Sequence, residues 1–207
     1  MLDFAVPVPI RCRPHPRATG TKRALKPVQV WGIRIRLQVQ QRLRDLVLFD
    51  LALDSKLRGC DLVALKMSDV TSGSRVRTRA MILQRKTGRP VQFEITEQTR
   101  RSIAAWIEEK VLEADDWLFP SRSKKGSHLS TRQYARLVDR WVGLLGLDPA
   151  AYGTHSMRRT KVSLLYKKTG NLRACQLLLG HTKLESTVRY LGVEVDDALE
   201  LSEALDL

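Results

Sequence analysis

The chain has 207 residues, 43% apolar and 28% charged, which allows one domain with a proper core, at most with an added arm, and excludes a disordered chain. Lys and Arg number 36 against 22 Asp and Glu, a net charge of +14 at pH 7. Six of those acids fall after Tyr190, where there is no Lys or Arg, so residues 1–190 set 36 cations against 16 acids, a net +20 that points to a polyanionic partner, most simply nucleic acid.

In chain order, an apolar patch at residues 4–10 is broken by Pro7 and Pro9 and has no charged lead-in. No run reaches membrane-spanning length, so the chain is expected to be neither exported nor embedded. Residues 1–27 mix five prolines with Arg11, Arg13, Arg17, Lys22, Arg23 and Lys26 and show no periodicity. They read as a flexible basic arm, either lying along phosphates or solvated as a tail. From 28 to 53, Val30, Ile33, Leu37, Leu43, Leu46, Val47, Phe49 and Leu53 recur at helical spacing and predict two core helices. A short helix should follow over 59–65.

Residues 75–84 alternate, Val76, Thr78, Ala80 and Ile82 against Arg75, Arg77 and Arg79, as a half-buried strand does. A second strand over 90–95 makes a hairpin whose tip, Lys86-Thr87-Gly88-Arg89, is basic, with Gly88 free to take positive φ. Thr96 can cap a helix striped by Ile103, Trp106, Ile107 and Val111. A short buried run at 117–120 leads into a polar loop carrying Arg122, Lys124 and Lys125. Ser130 with Gln133 is a capping box for a helix burying Tyr134, Leu137, Trp141, Leu144 and Leu145, which Gly146 ends. Trp106 and Trp141 read as core rather than as base-stacking platforms. Helices, a small antiparallel sheet and helices again, without βαβ alternation, define a mainly helical α+β domain over 28–192. Cys12, Cys60 and Cys175 are odd in number and lack CxxC spacing, so neither a disulfide framework nor a zinc site is expected.

The chemistry concentrates in 154–192. Thr154 is placed as an N-cap, and His155, Arg158, Val162 and Leu165 follow on one helical face. An inward Arg cannot shed its charge, so it needs an anionic partner from the protein or from a ligand. Gly170 and Gly180 end successive helices, and Thr182 with Glu185 forms a second capping box for a helix that carries Tyr190 and stops at Gly192. His181 lies between the Gly180 stop and the Thr182 cap.

The set HxxR at 155–158, LLGH at 178–181, a Tyr nine residues after that His, RxxDLxxL at 58–65 and Lys86 on the hairpin tip resembles the tyrosine recombinase (phage integrase) family in order and spacing. The resemblance covers the catalytic domain from about residue 28 onward. It implies that Arg58 and Arg158 clamp the scissile phosphate, that Lys86 is general acid for the 5′-hydroxyl, and that His155 assists proton transfer. It further implies that His181 binds the phosphate, that Asp61 supports the site, and that Tyr190 attacks to form a 3′-phosphotyrosyl link. The chemistry agrees: two guanidiniums meet the charge that develops on the attacked phosphorus, and a phenol with an ordinary pKa near 10 needs positioning and a proton acceptor. No metal or other cofactor is called for, and conserving bond energy in the phosphotyrosine removes the need for ATP.

Relatives place a helical core-binding domain before this one. Here only the Pro/Arg arm and helical sequence precede Arg58, so the chain reads as a short form lacking that domain. Arg85, Arg89, Arg122, Lys124, Lys125 and Arg159 are further candidates for DNA contacts. Residues 193–207 form an acidic segment striped by Ala198, Leu201 and Leu205, suited to docking on a neighbouring subunit or on its own domain. The resulting expectation is a cytoplasmic, nucleoid-associated site-specific recombinase of prokaryotic, phage or mobile-element origin, acting on double-stranded DNA as a tetramer, with accessory DNA-bending proteins as further partners. The alternatives are DNA relaxation of the type IB topoisomerase kind, and a non-cutting DNA-binding regulator with the same fold.

Overall fold

The computed structural model describes residues 22–191; the segment 193–207 and most of the arm lie outside them. Two helices, α1 (Pro27–Val39) and α2 (Leu43–Ser55), occupy the region where helical spacing predicted them. Pro27 sits in the first turn of α1, where its missing N–H is no loss. Every residue of α2 from Asp45 to Ser55 is buried, so this helix is the axis around which the others pack. Phe49 meets Trp141 edge-on at 5.5 Å between ring centroids, and Tyr134 meets the same indole at 6.2 Å, while Trp106 Nε1 donates to the Leu118 carbonyl at 2.8 Å. Both tryptophans are therefore core.

Short helices α3 (Gly59–Leu62) and α4 (Met67–Val70) carry the chain to two separate two-stranded antiparallel sheets, not to a single one. The strand expected over 75–84 is broken at residues 77–78. Its first part, β2 (Arg75–Val76), pairs with β1 (Thr71–Ser72), and its second, β3 (Arg79–Leu83), pairs with β4 (Pro90–Glu94). The break has a cause: the Arg77 amide donates to the Val70 carbonyl and its Nε to the Thr71 carbonyl, at 2.9 and 2.7 Å, which ties this residue to the α4 end. Gly88 takes φ +64 at the hairpin tip, as the turn requires.

Helix α5 (Glu97–Lys110) follows Thr96, whose hydroxyl donates to Asp54 rather than capping the helix. Val111 does not join the α5 stripe. It ends the helix in a left-handed conformation, 82% exposed, while Leu112 folds back through a bond from its amide to the Ile107 carbonyl. Helix α6 (Thr131–Gly143) has the Ser130–Gln133 capping box expected of it. Gly153, not Thr154, caps α7 (Thr154–Thr169), and α8 (Leu172–Leu179) ends at Gly180 with φ +63. The last described helix, α9 (Leu184–Leu191), begins one residue later than a Thr182 cap would place it, and the Thr182 carbonyl accepts Gln176 Nε2 at 3.1 Å.

Two apolar clusters result. The larger gathers α1, α2, α5, α6 and β3–β4; a small one of Val162, Cys175 and Leu179 joins α7 to α8, and Tyr190 and Leu191 of α9 rest on it. The arm expected over 1–27 is docked from Lys22 onward. Leu25 is 2% exposed, its amide donates to Thr160 Oγ1 at 2.9 Å, and the Arg23 amide donates to the Ala151 carbonyl at 2.9 Å. Leu25→Ala should therefore cost about 2–5 kcal/mol in denaturant unfolding; a loss within about 0.5 kcal/mol, the size of an ordinary surface substitution, would show that this segment is not part of the folded unit.

Candidate active site

Arg158 lies at the centre of the site, 4% exposed on α7. Its Nε donates to the Lys56 carbonyl at 2.6 Å and its Nη2 to the Leu179 carbonyl at 2.5 Å. Both acceptors belong to helix C-termini: Leu179 is the last residue of α8, and Lys56 caps α2 in a left-handed conformation. Carbonyls there have no intrahelical partner and carry the negative end of the helix dipole. Among the described residues no carboxylate pairs with Arg158. Burial pulls its pKa down, but a guanidinium keeps its proton, so the remaining N–H groups and the net charge are left for an incoming anion.

Arg58, at the N-cap of α3, is half-buried and donates from Nη1 to Gln84 Oε1 at 2.6 Å. That same oxygen accepts from Thr87 Oγ1 at 2.8 Å, so Gln84 links Arg58 to the hairpin tip. Asp61, 2% exposed, accepts the Arg85 amide at 2.9 Å and grips the root of the same tip. Lys86 is exposed on that tip, one residue beyond this grip. Gly180 packs against the hairpin so closely that a Cβ would sit 2.8 Å from Val91 Cγ2, and its φ is already one that side chains disfavour. The glycine of the LLGH run is thus required twice over.

Tyr190, half-buried on α9, lies beside two cations: Arg158 Cζ is 5.5 Å and Arg159 Cζ 4.9 Å from its ring centroid. Its hydroxyl donates to the His155 carbonyl at 3.3 Å. Burial pushes the phenol pKa up, and Arg158 and Arg159 counter it. His181 stands edge-on to the Tyr190 ring, 5.5 Å away at 87°, with Nδ1 3.2 Å from the buried Thr187 hydroxyl. Burial, then Arg158 and Arg58, push its pKa down to about 4. His155 shows an exposed edge at the start of α7; packing around the rest of its ring, then Arg158, Arg159 and Arg58, hold its pKa below the usual imidazole value. These histidines are therefore neutral at neutral pH.

Arg158, His155, His181 and Tyr190 come together, and Arg58 is near enough to act on both imidazoles. Arg85, Arg89, Lys124 and Lys125 are exposed. Arg122 is exposed too, but it lines a cleft with Arg42, Arg44, Lys110 and Arg140 at the start of α2, whereas Arg58 follows the end of that helix, ~20 Å away for its length. Arg159 is turned toward Tyr190 instead of solvent, because the Tyr190 ring and the Lys22 carbonyl, 3.0 Å from its Nη1, both attract it. Sequence reasoning missed Gln84, Thr187 and the two carbonyls. Gln84 reads as the last residue of a half-buried strand, with nothing to mark its side chain as turned toward Arg58, and carbonyls leave no mark on residue type.

The family model of the phage integrase family matches residues 33–196, and the chain belongs to that family. It is 26% identical over 155 residues to tyrosine recombinase XerC of Psychromonas ingrahamii, covering 73% of this chain and 50% of that protein. It is 30% identical over 157 residues to XerD of Rhizobium meliloti, covering 75% and 49%, so the chain spans about half the length of these relatives. The probable integrase/recombinase YoeC of Bacillus subtilis is 27% identical over 74% of this chain and 80% of that protein. Among solved structures, XerA recombinase superposes with a TM-score of 0.72 at 16% identity over 89% of this chain and 65% of that one. The fold is the one these recombinases share.

Since His181 binds its proton near pH 4 when folded and near 6.5 when unfolded, the folded state loses stability as pH falls from about 6.5 toward 4, and this group costs nothing above 6.5. His181→Gln should flatten part of that fall in a plot of Tm against pH, with His155 supplying a further part in the same direction. An unchanged slope would mean that the imidazole is not desolvated.

Proposed function

We propose that the chain is the catalytic part of a site-specific DNA recombinase that cuts and rejoins strands through a 3′-phosphotyrosyl link to Tyr190. The observation that carries this reading is the position of a phenol beside a buried guanidinium that forms no ion pair with any described carboxylate, Asp61 acting on it only from a distance. A phosphodiester would supply that missing anion, with Arg58 as the second clamp on its non-bridging oxygens. Tyr190 Oη attacks phosphorus, its proton passes to the neutral His155 imidazole, and the bond to the 5′-oxygen breaks as Lys86 protonates it. His181, neutral and held by Thr187, offers a ring N–H to the phosphate without adding charge that would compete with the guanidiniums. Asp61 and Gln84 take no part in proton transfer in this scheme; they hold the hairpin that brings Lys86.

The partner in this reading is double-stranded DNA. XerH has been solved bound to a palindromic difH substrate, and a lambda integrase dimer bound to a COC′ core site, with folds similar to this one. Assembly as a tetramer through residues 193–207, accessory DNA-bending proteins and a cytoplasmic, nucleoid-associated site of action belong to the same proposal. Among the described residues no helix is long and apolar enough to cross a membrane.

A duplex nicked beside the cleavage site traps the link by releasing the short strand. The chain should form a covalent adduct with it, and Tyr190→Phe should abolish the adduct while leaving DNA affinity intact. Arg158→Ala should slow trapping on the order of 100- to 1,000-fold, with a much smaller change in affinity. Equal loss of both would reduce Arg158 to a structural role. Affinity should also fall steeply with salt, because each phosphate neutralised releases counterions; a flat response would contradict a DNA-binding surface.

A further inference from the structure

We propose that Lys56 is a positioning residue for Arg158, acting through its main-chain carbonyl, and that a partly exposed chain of ion pairs anchored on the buried Lys56 and Asp54 holds that carbonyl in place. The proposal rests on the reading of Arg158 as the phosphate clamp. Lys56 occupies a conformation, φ 54 and ψ 22, that side chains disfavour and glycine adopts freely. Its side chain is nevertheless 1% exposed, and burial pulls the ammonium pKa down. A residue that combines a disfavoured backbone with a buried charge persists only where its surroundings hold it.

Those surroundings are specific. Lys56 Nζ reaches both oxygens of Glu94 at 2.7 Å, at the end of β4. Lys161 Nζ bridges Glu94 and Asp54, 2.7 Å from each. The other Asp54 oxygen accepts the Thr96 amide at 2.9 Å and the Thr96 and Thr99 hydroxyls at 2.7 Å. Two cations and two carboxylates balance, and burial, which works against both carboxylates, is more than offset by the bonds they accept, so both stay ionised.

The placement of the chain's ends is what gives it a role. Lys161 lies three residues after Arg158 on α7, hence on the same face one turn away. Lys56 is gripped through its ammonium while its carbonyl receives Arg158 Nε. The ion pairs thus hold the left-handed turn of Lys56 against its own strain, with its carbonyl facing Arg158 Nε, a task that a strain-free glycine would not need done. Lys56 also stands two residues before Arg58, so the same turn sets the spacing of the two guanidiniums.

Lys56→Ala and Lys56→Gly separate backbone from charge. Both delete the ammonium, but only glycine accepts the left-handed conformation without strain. With each variant shown to be folded by thermal unfolding, Lys56→Ala should slow adduct formation on the nicked duplex on the order of 10- to 100-fold with unchanged DNA affinity, and Lys56→Gly should recover most of that loss. Exchange of the Arg158 Nε–H, followed by 15N NMR without DNA, should be slow in the parent and in Lys56→Gly and faster in Lys56→Ala. If Lys56→Ala does not fold, Lys161→Met, which cuts the grip on α7, takes its place with the same expectations as Lys56→Ala. Unchanged trapping or unchanged exchange in the alanine variant, or a glycine variant as impaired as alanine, would overturn the proposal. If the parent itself forms no adduct, the recombinase reading fails, and the exchange measurement still decides the place of Lys56.

Discussion

A guanidinium stays charged wherever the fold puts it, so burying Arg158 obliges the chain to surround it with acceptors. The acceptors come from far apart in sequence, Lys56 in the first third and Leu179 beyond the α7–α8 turn. Each is a carbonyl freed by a helix that stops in a left-handed residue. Two dipole ends offset part of the charge without cancelling it, which a carboxylate would have done. The same two bonds tie the small apolar cluster under α9 to the end of α2, next to Arg58. Tyr190 is therefore located relative to both guanidiniums by way of Arg158.

The crowding of cations also sets the state of the other groups. Burial with Arg158 and Arg58 keeps His181 neutral, and His155 moves the same way. In the proposed reaction the two guanidiniums and the neutral His181 would meet the charge on the phosphate, and the neutral His155 would take the proton. Arg159 and Arg158 act against the burial that raises the Tyr190 pKa, so the phenol is held where losing its proton costs less than burial alone would impose.

Much of this was legible in the sequence, for reasons that can be stated. The helices α1, α2, α5, α6 and α7 follow from apolar spacing, and the stops at Gly170 and Gly180 from the need for positive φ. Spacing alone leaves His155, Arg158, His181 and Tyr190 readable as structural residues; it is their combined resemblance to the tyrosine recombinase family that singles them out. What stayed hidden was contact between distant segments. Thr96 and Thr182 looked like caps because their neighbours fit the pattern, yet Asp54 claims the first hydroxyl and α9 starts beyond the second. Arg77 breaks a strand through bonds to residues 70 and 71 that no period-two pattern records. Lys56 carried no signal at all, since a lysine in a left-handed turn with a buried ammonium runs against both local propensity and hydropathy.

The account stands or falls on the atom that becomes linked to DNA. Digesting the trapped adduct with protease and nuclease and sequencing the modified peptide by mass spectrometry identifies that atom directly. The account predicts a nucleotide joined through its 3′-phosphate to the Tyr190 oxygen, with a free 5′-hydroxyl on the released strand. A nucleotide on any other residue, or one joined through a 5′-phosphate, would contradict it.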